Sequence, residues 1–229
     1  LNLAPTEDYY YLFLGRAYLN ATNAITDTAQ RDQILSDAEQ QLIKARGLNP
    51  LNTDHTANLA RLNRRWAELT SDNASLRDQR TANSNNYYSQ AVQLSPNNAG
   101  LWNEWAGLLF QLMGDGPTAQ QKLDESLVVD QEFDQTYQLQ GELYAWQAQQ
   151  IISDTVAQQA KFQQAFEAYQ TSIALTESRN QNAGLARRAL AVAYQAAGKL
   201  PELIGVYQDM IAKQDTTVAA YQAYYAISQ

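Results

Sequence analysis

Residues 5–15, PTEDYYYLFLG, 50–60, PLNTDHTANLA, and 96–106, PNNAGLWNEWA, share one pattern. The residues six places after each proline are Tyr11, Thr56 and Trp102. Leu14, Leu59 and Trp105 stand three places further on, and each is followed by a small residue, Gly15, Ala60 or Ala106. A pattern that returns along a chain predicts stacked helix pairs, each of which buries its apolar face against its neighbours.

The apolar spacing between the prolines, glycines and polar turns predicts an all-α chain of about eleven helices, five pairs and one terminal helix. Thr6 is expected to start the first helix, because the acidic residues after it favour a helix N-terminus. The expected helices cover about 6–26, 28–48, 54–69, 76–94, 99–113, 117–129, 133–152, 156–176, 181–197, 201–213 and 217–227. The repeats run over roughly 6–50, 51–96, 97–131, 132–177 and 178–215, with a partial repeat at 216–229, and we expect residues 1–229 to form one array.

These residues resemble the tetratricopeptide repeat family, and the resemblance covers essentially the whole chain. In that family the first helix of a repeat, helix A, carries an aromatic residue, a leucine, a small residue and a tyrosine, matched here by Tyr11, Leu14, Gly15 and Tyr18. The second helix, helix B, carries two small residues around a large one and then a proline, matched by Ala38, Leu42, Ala45 and Pro50. The resemblance implies a right-handed superhelical solenoid whose concave groove is lined by A helices and binds proteins or peptides.

The repeats differ in length from the usual tetratricopeptide repeat of about 34 residues. Their closing positions, Pro5, Pro50, Pro96, Gln131, Glu177 and Asp215, are spaced 45, 46, 35, 46 and 38 residues apart. Paired antiparallel helices must lengthen together or leave apolar surface bare. We therefore expect both helices of pairs one, two and four to be about a turn or more longer than those of pair three.

Composition excludes several classes of function. The 229 residues carry a net charge of -8 and contain no cysteine, which excludes thiol chemistry and cysteine-ligated zinc, and the acidic balance argues against nucleic-acid binding. No apolar run is long enough to span a bilayer. His55 is the single histidine and is expected to be exposed to solvent. We predict no catalytic residue, no cofactor and no metal site, so the chain is not expected to be an enzyme.

The candidate binding residues are those of the A helices that turn away from the B helices. They are Phe13, Arg16, Asn58, Arg61, Arg64, Arg65, Asn103, Gln138, Glu142 and Arg188. Arg61 and Arg65 share one helix face, and guanidinium groups bind carboxylates and phosphates, so an anionic ligand is one interpretation. The alternative is that these arginines pair with neighbouring acids such as Asp54 or Glu68.

Three aromatic residues depart from the repeat pattern and are further groove candidates, although packing in the core or on a ridge is the favoured interpretation for each. They are Trp66, Phe110 and Trp146.

A second resemblance concerns context. Residues 49–66 and 10–18 look like segments of the repeat-bearing C-terminal regions of bacterial O-antigen ligase or polymerase proteins. That resemblance implies the extracytoplasmic, membrane-associated part of a surface-glycan enzyme, with a partner protein or a glycan as ligand. The alternatives are a cytosolic scaffold or adaptor and, further off, a glycan-binding or catalytic domain.

The two ends of the array suggest self-association. Residues 1–5 read like the last turn of a helix B, so we expect the chain to be a piece of a longer protein. Leu1, Leu3, Tyr9 and Phe13 should be less covered than their counterparts in later repeats. Together with Tyr221, Tyr224 and Tyr225 of the terminal helix, they predict weak end-to-end association.

Overall fold

The computed structural model describes residues 5–213, and this part of the chain is all-α. Its ten α-helices are α1 (Asp8–Ala21), α2 (Thr28–Leu48), α3 (Thr53–Leu69), α4 (Ala74–Leu94), α5 (Ala99–Gln111), α6 (Gly116–Val129), α7 (Asp134–Gln150), α8 (Thr155–Ser178), α9 (Gly184–Ala196) and α10 (Leu200–Ala212). A short 3-10 helix, Thr22–Ala24, follows α1. The all-α prediction is confirmed, and the predicted terminal helix with Tyr221, Tyr224 and Tyr225 lies outside the described residues.

Short polar side chains start several of these helices. Asp27, Asn98 and Asp154 each accept a hydrogen bond from the backbone N–H three residues later, at 2.7, 3.3 and 2.9 Å. Each bond satisfies a donor that has no partner inside its helix. In α1, by contrast, the capping residue is Glu7, which makes no side-chain capping bond, so the prediction of Thr6 as the start is wrong.

The chain forms two compact units, Leu1–Asp115 (unit 1) and Gly116–Gln229 (unit 2). In unit 1, α1 pairs with α2 and α3 with α4, while α2 packs against α3 and α4 against α5. In unit 2, α7 pairs with α8 and α9 with α10, while α6 packs against α7 and α8 against α9. This order, in which each helix contacts its sequence neighbours within its own unit, is that of stacked helix pairs. That all repeats form one continuous right-handed superhelix stays a prediction.

The cores lie between successive helices and consist of the residues that the repeat pattern marks. The core between α1, α2 and α3 is built from Tyr11, Leu12, Leu35, Ala38, Leu42, Ala45, Leu59, Leu62 and Trp66. The core of unit 2 includes Phe162, Phe166, Tyr169, Leu190, Tyr194 and Leu203. Apolar burial of this kind is the main stabilising term in such a fold.

Small residues permit close helix contact, as the pattern predicts. A Cβ atom on Gly15 of α1 would lie 2.7 Å from Leu42 Cγ of α2. A Cβ atom on Gly141 of α7 would lie 2.7 Å from the Tyr169 ring of α8. Real Cβ atoms do not approach so closely, so both positions require glycine or a shift of the partner.

The extra residues of the long repeats lengthen mainly the B helices. Helices α2, α4 and α8 have 21, 21 and 24 residues, against 14 in α6. Helices α3 and α7 have 17 residues each, against 13 in α5. The prediction of longer helices is confirmed for pairs two and four. It is wrong for helix A of pair one, because α1 ends after 14 residues, where the Thr22 hydroxyl donates to the Leu19 carbonyl at 2.6 Å.

The outer face of α1 is less covered than its counterparts. Phe13 is 58% exposed, whereas Asn58, at the same repeat position in α3, is 5% exposed. Tyr10 is 54% exposed, whereas its counterpart His55 is fully buried. The predicted exposure is confirmed for Phe13 but is wrong for Tyr9, because Asp54, its counterpart in α3, is exposed as well. Leu1 and Leu3 lie outside the described residues. Within residues 5–213, no helix combines the length and the apolar character needed to cross a bilayer.

Candidate functional site

The candidate site that is most fully defined lies on unit 1. We call it the A-helix face: the outward side chains of α1, α3 and α5, namely Tyr9, Phe13, Arg16, Arg61, Arg64, Arg65, Glu68, Glu104 and Gln111. Three of the predicted arginines are held here by hydrogen bonds to groups on the same or a neighbouring helix. These bonds fix the guanidinium groups in place and decide how much positive charge the face retains.

Arg61 forms a bidentate ion pair with Glu104. Its Nε and Nη2 atoms donate to the two carboxylate oxygens at 2.7 and 2.8 Å, so the pair joins α3 to α5. Burial lowers the pKa of Arg61, but the bonds and attraction from Glu104 outweigh it, and the pKa lies above its usual value. The same carboxylate accepts a hydrogen bond from the Tyr88 hydroxyl at 3.2 Å. Burial and the Glu104 charge raise the pKa of Tyr88, which keeps this phenol protonated as a donor.

Arg64 and Arg65 share the carboxylate of Glu68. Arg64 Nε donates to Glu68 at 2.9 Å, and other atoms of the same guanidinium donate to the Glu104 carbonyl and to the Gln111 side chain. Arg65 lies 3.6 Å from Glu68 and donates to Asn23 at 3.0 Å. The pairing with Glu68 is the alternative that the sequence left open.

Two candidates on α1 have no such restraint. Arg16 is exposed and forms no ion pair with any residue of the described range. The Phe13 ring lies 6.1 Å from the ring of Tyr9, which is also half exposed and in turn lies 6.3 Å from the His55 ring of α3. The face therefore places an exposed aromatic pair and several arginines on one side of unit 1.

The remaining candidates are divided. Asn58 and Asn103 are buried, and Asn58 donates to the Asp54 carbonyl at 2.7 Å, so the prediction that these two line an open groove is wrong. The Asn58 amide therefore bonds a backbone carbonyl in the first turn of its own helix rather than facing a ligand. Gln138, Glu142 and Arg188 belong to unit 2. There Gln138 donates to Glu142 at 3.3 Å, and Arg188 is exposed and bonds the Gly184 carbonyl at 3.2 Å.

His55 is not exposed to solvent, as the sequence predicted, but fully buried. Its Nε2 atom lies 2.7 Å from Asp8 Oδ2, which joins the first turns of α1 and α3. The hydrogen bond from His55 lowers the pKa of Asp8, while burial opposes this shift. An ionised carboxylate can only accept, so Nε2 carries the shared proton. One sequence signal could have predicted this contact: Asp8 and His55 occupy the first turns of successive A helices.

The aromatic residues that depart from the repeat pattern pack against other residues rather than facing a ligand groove. Trp66 and Phe110 are 5% and 4% exposed, so core packing accounts for them. Trp146 is half-buried and lies against Gly116. Within residues 5–213, no cluster of His, Asp and Glu side chains could hold a metal ion.

No protein-family model matches the sequence, and no curated protein matches it. Solved structures do resemble it. A thermophilic TPR protein of Thermus thermophilus is 15% identical with a TM-score of 0.60, and the alignment covers 93% of this chain and 98% of that one. PilF of Pseudomonas aeruginosa is 20% identical with a TM-score of 0.61, over 92% of this chain and 77% of that one. A chain of the APC/C hetero-tetramer Cut9–Hcn1 is 14% identical with a TM-score of 0.64, over 97% of this chain and 36% of that one.

These likenesses in structure, at low sequence identity, concern the fold and not the activity. They agree with the residue pattern after the three prolines, with the paired helices and with the small residues at the contacts between paired helices. The chain therefore has the fold of the tetratricopeptide repeat proteins.

Proposed function

We propose that this chain is a non-catalytic interaction module that binds a segment of a partner protein on the A-helix face of unit 1. The observation that carries this proposal is the exposed aromatic pair, Tyr9 and Phe13, on the same face as arginines already held in place by carboxylates. Aromatic and arginine side chains contribute most of the binding energy in protein interfaces. Arginines that are ordered before binding lose less conformational entropy when a partner arrives.

The charge of the face favours an acidic or carbonyl-rich segment. The face carries four arginines and two carboxylates, Glu68 and Glu104, and Asp54 lies close enough to Arg61 to act on its charge. The face is therefore slightly positive on a chain whose net charge is -8. Arg61 uses only Nε and Nη2 for Glu104, so its Nη1 donors are available to a ligand that approaches the face. The ligand we propose is a peptide segment whose carboxylates or backbone carbonyls accept these bonds.

The experiment is a selection of random peptides of about 12 residues displayed on phage, followed by affinity measurements on synthetic copies. We expect Phe13→Ala and the double change Arg61→Ala with Arg65→Ala each to weaken binding by about 10-fold or more. Selected peptides rich in Asp and Glu, with an affinity that falls as salt is added, would identify the anionic version of the site.

Arg77→Ala is the matched control, because Arg77 is an exposed arginine on helix B of the same repeat. It should leave the affinity unchanged, and thermal melts should show that every variant is folded. A selection that yields no peptide, or peptides that bind the face variants as tightly as the parent protein, would contradict the proposal.

We also propose weak end-to-end self-association through the outer face of α1. Tyr10 is exposed, whereas its counterparts His55, Leu101 and Thr136 are buried. We expect the weight-average sedimentation coefficient to rise with concentration and Tyr10→Glu to abolish the rise. Leu51→Glu, at a still more exposed apolar residue after α2, should not. A strict monomer at high concentration, or a rise unchanged by Tyr10→Glu, would refute this proposal.

A second setting, the soluble region of a bacterial O-antigen ligase or polymerase, rests only on the sequence likeness of residues 49–66 and 10–18. The comparisons lend it no support. The sequence that precedes Leu1 in the full gene tests it, because that setting requires a multi-span membrane domain there. If the gene encodes no such domain, the O-antigen setting is excluded and the stand-alone scaffold is favoured.

A further inference from the structure

Unit 2 contains a surface pocket of about 290 Å³ between α8, α9 and α10. Its apolar lining comes from Ile173, Leu190, Tyr194 and Val206, and its polar lining from Gln170, Arg187, Glu202 and Asp209. No residue of the A-helix face contributes to it. A pocket with an apolar floor and a few charged groups at the edge is a common form of binding site.

A glycine opens this pocket. Gly205 lies in the middle of α10, and a Cβ atom built there would meet no other atom within 4 Å. Glycine inside a helix is less stable than alanine, and no close contact requires it at this position. The missing side chain leaves the floor of the pocket accessible.

Around the pocket, carboxylates outnumber basic side chains. Arg187 is 2% exposed and is held by Asp209, at 2.8 Å from its Nε atom, and by Glu177. Lys213 also contacts Glu177 and lies 3.8 Å from Asp209. The positive charges of Arg187 and Lys213 are therefore balanced by the carboxylates of Glu177 and Asp209.

Glu202 is the carboxylate left over. It is exposed at the edge of the pocket and forms no ion pair with any residue of the described range. Residues 214–229 contain no lysine, arginine or histidine that could neutralise it. Asp209 follows Glu202 by seven positions on α10, so both carboxylates lie on one face of that helix with Gly205 between them.

We infer that this pocket binds a long basic side chain, arginine or lysine, of a partner protein. The aliphatic part of the side chain lies on Ile173, Leu190 and Val206, and its cation pairs with Glu202 beside the edge of the Tyr194 ring. Long basic side chains commonly bury their methylene groups while the charge stays near water. This inference does not rest on the proposed function, because the two surfaces share no residue.

The test is an NMR titration with three probes of similar size: n-butylguanidinium, n-butylammonium and 1-butanol. We expect saturable shifts of amides in α9 and α10 with one or both cations, and binding at least 10-fold weaker with the neutral alcohol. Binding of the guanidinium alone would also support the inference and would narrow the ligand to arginine.

Two variants test the two parts of the site. Gly205→Leu should fill the pocket and Glu202→Gln should remove the charge, and each should weaken cation binding at least 10-fold. Gly47→Leu, at another helix glycine with open space around it, and Glu125→Gln, at an exposed carboxylate of unit 2, should leave it unchanged. Equal binding of 1-butanol, an absence of saturable shifts, or cation binding unaffected by Gly205→Leu would overturn the inference.

Discussion

Gly141→Ala is expected to destabilise unit 2, although alanine is a better helix former than glycine. The added Cβ atom would lie 2.7 Å from two carbons of the Tyr169 ring and 2.8 Å from a third. Tyr169 is 3% exposed and belongs to the core of unit 2, so its ring can move only by disturbing its neighbours. Overpacking of this kind costs about 1–3 kcal/mol, which exceeds the helix-propensity gain of about 0.5–1 kcal/mol.

The matched control is Gly205→Ala, since the same change in α10 meets no atom within 4 Å. We expect it to stabilise unit 2 by about 0.5–1 kcal/mol. Urea unfolding monitored by circular dichroism would measure both variants. The opposite signs are the test: if Gly141→Ala proves neutral or stabilising, α7 and α8 do not pack as closely as the small residue implies.

Arg80→Ala is expected to destabilise unit 1 by about 2–3 kcal/mol, because Arg80 is the centre of a polar cluster between three helices. Its Nη1 atom donates to Glu39 of α2 at 2.7 Å and to the fully buried Asn63 of α3 at 3.2 Å. Its guanidinium carbon lies 3.5 Å from the centroid of the Trp66 ring. The side chains of Arg80 and Glu39 are only 15% and 20% exposed, so water would replace the lost partners incompletely.

Arg77→Ala, one helical turn away, is the control for this change. Arg77 is exposed and pairs with the adjacent Asp78 at 3.5 Å, so we expect a change within about 0.5 kcal/mol. Arg80→Lys should recover only part of the loss, because an ammonium has no planar group that can stack on the Trp66 indole while it donates to Glu39 and Asn63. Equal urea midpoints for the Arg77 and Arg80 variants would show that the cluster contributes nothing to stability.

The helices could be predicted from the sequence because their boundaries depend on local signals. The apolar spacing and Pro50 beyond the C-terminus predict a helix over 28–48, which agrees with α2 at Thr28–Leu48. The division of the extra residues between helices A and B could not be predicted in the same way. In the first repeat, helix A stays short because α1 ends at a turn. There the Thr22 hydroxyl donates to the backbone carbonyl of Leu19.

The arrangement of the candidate site was less predictable because it depends on partners in other repeats. The spacing of Arg61 and Arg65 showed that they share a face, but Glu104, the partner of Arg61, lies 43 residues away. Whether Asp8 reaches His55 or leaves it exposed is decided by distances of a few ångströms between α1 and α3. Sequence periodicity places residues on a helix face and does not fix those distances.

Amide hydrogen exchange, with and without a peptide from the phage selection, would show whether the chain binds a protein segment through the A-helix face of unit 1. We expect slower exchange in α1, α3 and α5 when the peptide is bound, and the loss of that protection in the Phe13→Ala variant. Protection confined to α2 and α4, or to the pocket of α8, α9 and α10, would contradict this expectation.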